Sequence, residues 1–336
     1  MANIYEIAKK AKVSHMTVSR AFNKPELVNK KTRENIFKIA DELNFRPSLV
    51  ARSMRTKKTN YIGLILPDII NPFFPEIVRG VDDYSRKKHY NVILINTDND
   101  YEIQTSSMHM FIKRGVDGII LSGIAGGKKD KEFITNIMKR DIPVVLIDRY
   151  IPDLKSSYVI TNNFKAAYDA TNYLIKLGHK KIGVISSPQQ IKIFQDRLKG
   201  YKQALKENDI EYREDFVVES EENIESGYRT FKKLINKVDS FTAIFAMCDF
   251  IAFGVYEYCR EKNINIPDDI SVISIDDIYT SALITPRLTT LAQQKYNMGV
   301  NAVKILIESI QENKLPKKQI ILEAKLVERD SCKQLK

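Results

Sequence analysis

The sequence predicts a small all-α headpiece joined to an α/β body of two lobes, each lobe built on a parallel wound sheet. Three observations carry this. Apolar residues recur at helical spacing through residues 1–46. From Tyr61 onward the pattern changes to eight short apolar runs separated by amphipathic stretches, the pattern of strands buried on both faces and connected by helices. The length of 336 residues and the 43% hydrophobic content belong to a globular chain large enough for more than one domain.

Within the headpiece, Ile4, Ile7, Ala8 and Ala11 form one apolar face, Val13-Ser14 breaks the run, and Val18, Ala21 and Phe22 resume it. The spacing predicts helix, tight turn, helix. Ser14 can cap the second helix by accepting from the backbone amide of Met16 or Thr17, which leaves His15, Met16, Thr17 and Arg20 on the exposed side. A third helix over about 31–43 adds Ile36, Ile39, Ala40 and Leu43 to the core. Two short helices with a buried inner face and a polar outer one form a helix-turn-helix, whose second helix enters the major groove by its N-terminal residues. Charge agrees with this. Residues 1–60 hold 14 Lys and Arg against 5 Asp and Glu, whereas the other 276 residues hold 39 against 37. The cationic excess is thus confined to the headpiece, as in nucleic-acid-binding proteins.

Residues 47–60 read as a hinge and linker. Pro47 opens a run rich in Leu, Val, Ala, Arg and Met with good helix propensity, but two turns do not persist alone in water. An external surface has to order them. Val50 and Met54, four residues apart, share an apolar edge suited to wedging into a minor groove, and Arg52 and Arg55 offer cations to phosphates.

In the body the predicted strands are 61–66, 92–95, 118–121, 144–147, 182–185, 216–218, 243–246 and 272–275, and the helix over 75–86 shows the connecting type. Gly178 fits a helix C-cap, which makes His179 a turn residue rather than a ligand or acid-base group. In wound α/β sheets small molecules bind beyond the carboxyl ends of the strands. There the sequence sets Phe73 and Phe74 after the first strand, Asp148 and Arg149 at the end of the fourth, Asp249 after the seventh and Asp276 at the end of the eighth. Carboxylates and an arginine bond ring hydroxyls, and an aromatic face covers the apolar side of a pyranose or a base.

The segments NIYEIAKKAKVS (3–14), TVSRAFN (17–23), Arg46-Pro47, ARSM (51–54), NPFF (71–74), GVDGII (115–120), Gly178-His179 and TPRLTT (285–290) resemble the lactose/galactose repressor family along nearly the whole chain. The resemblance implies a body of the type I periplasmic-binding-protein fold that crosses between lobes three times. One lobe would take 61–161 plus 291–322 and the other 162–290 plus 323–336, behind a DNA-binding headpiece at 1–46 and the hinge and linker at 47–60. It places His15, Met16 and Arg20 where base edges are read and Thr17, Ser19 and Asn23 where phosphates are held. Arg20 can bond bidentately to guanine, and Met16 can touch a thymine methyl. Phe73, Phe74, Asp148, Arg149, Arg197, Asp249 and Asp276 fall on effector-pocket positions. The implied function is a sequence-specific repressor, a twofold dimer on a near-palindromic operator, controlled by a sugar or sugar derivative in the cleft between lobes. Purine-type corepression and catabolite control are the alternatives within the family; the latter uses a phosphocarrier-protein partner, to which nothing in this sequence points.

Four positions depart from the family pattern. Lys12 stands in the turn where Gly is usual, at a cost on the order of 1 kcal/mol, and Met54 stands where the intercalating residue is typically Leu. Thr161-Asn162 replaces Asp before the pocket Asn, and Ile191 replaces the arginine of the purine-binding member. The last two argue against guanine-type corepression and, with Arg149, leave a sugar, acidic or phosphorylated ones included.

Other function classes lack their chemistry. There is no G-x-S-x-G or G-x-G-x-x-G motif, and in the run from Gly123 the residue Lys129 stands where a phosphate loop needs Ser or Thr, so an enzyme is not expected. Three scattered cysteines and four isolated histidines give neither a disulfide framework nor metal spacing, so no cofactor or metal is expected and a reducing cytoplasm fits. A solute-binding protein is the rival with the same body; the basic headpiece and the lack of a signal-like or membrane-spanning segment argue against it.

Overall fold

The computed structural model describes residues 3–45, 58–123, 128–238, 241–312 and 317–335. Its contacts divide the chain into two units, with the boundary between Thr59 and Asn60. The first unit holds α1 (Ile4–Ala11), α2 (His15–Asn23) and α3 (Lys30–Glu42). Each helix starts on a side-chain cap: Asn3 accepts from the amides of Tyr5 and Glu6, Ser14 from that of Thr17 at 3.0 Å, and Asn29 from that of Lys31. Lys12 ends α1 at φ 55°, in the left-handed region the turn requires, and its N–H donates to the Ala8 and Lys9 carbonyls. Ile7, Val18, Ala21 and Ile36 are wholly buried between the helices.

The second unit opens with β1 (Tyr61–Leu66), α4 (Phe73–Lys87), β2 (Asn91–Asn96), α5 (Tyr101–Arg114), β3 (Gly118–Leu121), α6 (Lys128–Met138), β4 (Val144–Ile147) and β5 (Ser157–Thr161). It continues with α7 (Asn163–Lys176), β6 (Ile182–Ser186), α8 (Lys192–Glu207), β7 (Val217–Glu219), α9 (Ile224–Lys237), β8 (Ala243–Ala246), α10 (Asp249–Glu261), β9 (Ser271–Asp276) and β10 (Thr289–Ala292). Last come α11 (Lys295–Glu312), β11 (Gln319–Leu322) and β12 (Lys325–Val327). Two six-stranded sheets result, ordered β11-β5-β4-β3-β1-β2 and β12-β10-β9-β8-β6-β7, parallel throughout except where β12 pairs antiparallel with β10. The chain therefore passes from one sheet to the other after β5, after β10 and after β11.

Both sheets are covered on both faces, as parallel sheets are. In the first, α4 and α11 pack on one face and α5 and α6 on the other. In the second, α7 and α8 face α9 and α10 across the strands. All eight expected strands are present, the sixth displaced by one residue because Phe216 turns inward at the end of a short 3-10 helix. Four more strands were not legible. β5 and β10 carry Ser157, Tyr158, Thr161, Thr289 and Thr290 in place of an apolar run, and β11 and β12 are short edge strands. Helix α4 starts two residues before the expected position, because the Asn71 side chain accepts the amide of Phe73 at 3.0 Å.

Candidate DNA-reading helix and effector cleft

On α2, His15, Met16, Arg20 and Asn23 are exposed, Met16 to 55%, and Thr17 and Ser19 are half-buried. The Thr17 hydroxyl lies 2.9 Å from that of Ser14, and the Asn23 amide donates to the Ser19 carbonyl at 2.7 Å, so these side chains brace the helix from its outer side. Tyr5, which the pattern reading passed over, packs its ring 5.2 Å from that of His15 and is 66% exposed, adding a hydroxyl to the same surface. Val50, Arg52, Met54 and Arg55 lie outside the described residues.

In the body, Asp148 and Arg149 follow β4 of the first sheet, while Asp276 ends β9 of the second and Arg197 projects from α8. The structure brings these four together. Arg149 Nε lies 3.9 Å from Asp148 Oδ2, and Arg197 Nη2 lies 3.9 Å from Asp276 Oδ1. All four are nearly buried. Asp148 sits at φ 64°, in the left-handed region that Asp enters more readily than most residues, and Asp276 at φ 136°, which residues other than glycine rarely adopt and which a packed surrounding has to impose. Burial pushes the Asp148 carboxyl up to about 6, with Arg149 and Arg197 pulling it back down. Burial likewise pushes Asp276 up to about 8, against the pull of Arg197.

Neighbours not read from sequence complete the group. Arg149 donates to Glu222 at 3.0 Å and to Asn99 at 3.3 Å, crossing from the first sheet to the loop after β7. Arg197 donates to Asn163 at 2.7 Å and to the Met247 carbonyl. Gln293 donates to Asp276 at 2.7 Å and accepts from the Thr161 hydroxyl. Lys295 holds the turn beneath, donating to the carbonyls of Asp276 at 2.8 Å and Asp277 at 2.6 Å, and reaches Glu76 at 3.3 Å. These residues lie far apart in the chain, and only the fold reveals the set. A second link between the sheets runs from the Tyr150 hydroxyl to Asp196 at 3.0 Å. Beside it a cavity of about 190 Å³ is lined by Arg149, Tyr150, Gln190, Ile191, Lys192 and Gln195, among others.

Two sequence readings change. Asp249 is not a pocket group: it is fully buried and accepts from the hydroxyls of Ser274, Thr290 and Ser281 and from the Ile278 amide, so its acceptor capacity is used within the protein. Asn162 is the cap of α7, accepting from the Lys165 amide at 3.1 Å, and the side chain that meets Arg197 is Asn163. Phe73 and Phe74, each 4% exposed and packed edge to face at 5.1 Å, belong to the core cluster that also holds Ile278. His179 is held inside, its ring nitrogens 3.0 Å from the Thr242 hydroxyl and from the Lys333 carbonyl, and burial lowers its pKa.

Comparison with known proteins fits this geometry. The family description "Bacterial regulatory proteins, lacI family" matches residues 3–48, and "Periplasmic binding protein-like domain" matches residues 171–332. The ribose operon repressor of Haemophilus influenzae is 34% identical over the whole of both chains. The repressor PurR of Vibrio vulnificus is also 34% identical over the whole of both. A LacI family transcriptional regulator from Enterococcus faecium, solved with bound ribose, is 30% identical and superposes with a TM-score of 0.73 over 82% of this chain and 100% of that one. No described helix is long and apolar enough to cross a membrane. Relatives alike from end to end, over headpiece and body together, settle the matter: the chain belongs to the lacI family of bacterial regulatory proteins and is a DNA-binding transcriptional repressor under effector control.

Proposed function

We propose that the effector is a sugar or sugar derivative bound among Asp148, Arg149, Arg197 and Asp276, with Phe73 and Phe74 as its apolar wall. One observation carries this reading: carboxylate–guanidinium pairs from both sheets converge at the carboxyl ends of the strands, where hydroxyls can donate to one partner and accept from the other. The ribose named for two of the relatives agrees with it, and Ile191 at the cavity edge, in place of an arginine, speaks against a purine. His15, Met16 and Arg20 read base edges and Thr17, Ser19 and Asn23 hold phosphates, in a twofold dimer on a near-palindromic operator. The lobes are 61–161 plus 291–322 and 162–290 plus 323–336. The effector changes their angle, and with it the approach of two hinge segments carrying Val50, Arg52, Met54 and Arg55 to the centre of the operator. A ligand that binds both arrangements equally shifts nothing, so the coupling requires a preference of about 1–3 kcal/mol.

The test selects duplexes bound by the full chain from a random pool, then measures affinity for the selected sequence with each of a panel of sugars and purines. A near-palindromic consensus and a change of roughly 5- to 150-fold with a sugar are expected. No sequence preference, or a response to purines alone, overturns the reading.

A further inference from the structure

The cleft contains more anion than its sequence-legible residues suggest. Glu222, in the loop after β7 and with its side chain 26% exposed, places its carboxylate 3.0 Å from the buried guanidinium of Arg149. Its charge adds to the rise of the Asp148 and Cys248 pKa values, which marks it as a third carboxylate of the same pocket beside Asp148 and Asp276. The cations nearby are already shared. Arg149 is held by Glu222 and Asn99, and Arg197 by Asn163, the Met247 carbonyl and Asp276. Lys192 is paired with Asp196, and Lys295 is spent on two carbonyls and Glu76.

An incoming phosphate or carboxylate would have to displace Glu222 from Arg149 and then lose its water beside the Glu222 and Asp148 carboxylates, with the Asp276 carboxyl holding its proton near neutral pH. A buried charge without a partner of its own is strongly disfavoured. An uncharged polyol meets no such barrier, because each hydroxyl both donates and accepts. We propose that Glu222 is a specificity-determining residue that reserves Arg149 for neutral ligands, so that the effector is an uncharged polyhydroxyl compound and its phosphorylated or acid forms are rejected. This rests on the sugar-effector reading above.

The test measures ligand-induced stabilisation of the full chain by matched compounds: ribose and ribose 5-phosphate, glucose, glucose 6-phosphate and gluconate. In the parent a neutral compound is expected to bind at least about tenfold more tightly than its anionic partner. In Glu222→Gln, which keeps the side-chain shape and removes its charge, that preference is expected to shrink about tenfold or more. Glu222→Ala is expected to act in the same direction and serves as the second variant. Tighter binding of an anionic partner by the parent, or an unchanged ratio in both variants, overturns the role of Glu222 and leaves the sugar reading standing. Stabilisation by none of the compounds overturns both.

Discussion

Asp249 and Asp276 each stand at the carboxyl end of a strand, and no local pattern separates them; their surroundings do. Four donors converge on Asp249 from Ser274, Ile278, Ser281 and Thr290. Asp249→Ala is expected to lower unfolding free energy by on the order of 3 kcal/mol or more, since it strands these donors, while the folded fraction keeps its effector affinity in calorimetric titration. Asp148 behaves in the opposite way. Its carboxyl is raised from 3.8 to about 6 by burial, so between about pH 4 and pH 6 the folded state holds more protons than the unfolded one. The group's contribution to stability therefore falls as pH rises through that window, and the deficit is complete above it. Asp148→Asn is expected to be more stable than the parent at about pH 7.5, by on the order of 3 kcal/mol, to lose that advantage near pH 4 in denaturant titrations, and to bind effector more weakly. On the headpiece, Arg20→Ala is expected to lose about 1–3 kcal/mol of preference for the selected operator over a scrambled duplex while retaining non-specific binding. Of the four convergent cleft residues, Asp148, Arg149 and Asp276 stand out in the sequence at the ends of apolar runs, whereas Arg197, in the middle of α8, enters only through the family resemblance. Glu222, Asn99 and Asn163 were not legible, because what makes them important is a contact 73, 50 and 34 residues away in the chain.

At the scale of elements, helical pairs are brought close by glycine. A Cβ on Gly299 of α11 would lie 2.3 Å from the Ile77 carbonyl oxygen of α4, and one on Gly80 of α4 would lie 2.2 Å from the Tyr296 carbonyl oxygen of α11. Backbone cannot step aside as a side chain can. Gly299→Ala is therefore expected to cost about 1–3 kcal/mol in thermal or chemical unfolding, despite the better helix propensity of alanine. The periodicity of α4 was readable, but its partner was not, because α11 follows nine strands later and packs back on the first sheet. The same non-locality hid β5 and β10. Their threonines and serines look like loop until tertiary partners take up the hydroxyls, as Gln293 does for Thr161 and Asp249 for Thr290.

At the scale of the whole molecule, charge and ligand chemistry are divided between the two units. The net +9 of residues 1–60 against +2 for the rest predicts that DNA binding is electrostatic in origin and strongly salt-dependent. If about 6–10 phosphates are contacted, operator affinity measured by fluorescence anisotropy is expected to fall roughly 10³- to 10⁵-fold between about 50 and 200 mM salt, whereas effector affinity changes far less because its charges are buried.

The final strands give this division a consequence during synthesis. β11 completes an edge of one sheet and β12 an edge of the other, and the segment after them supplies the carbonyl that holds His179. A ribosome therefore releases a finished headpiece long before either half of the sensor has its last strand. A nascent or clipped product lacking those strands would carry the cationic headpiece, with its non-specific attraction for DNA, on a sensor whose two sheets are unfinished.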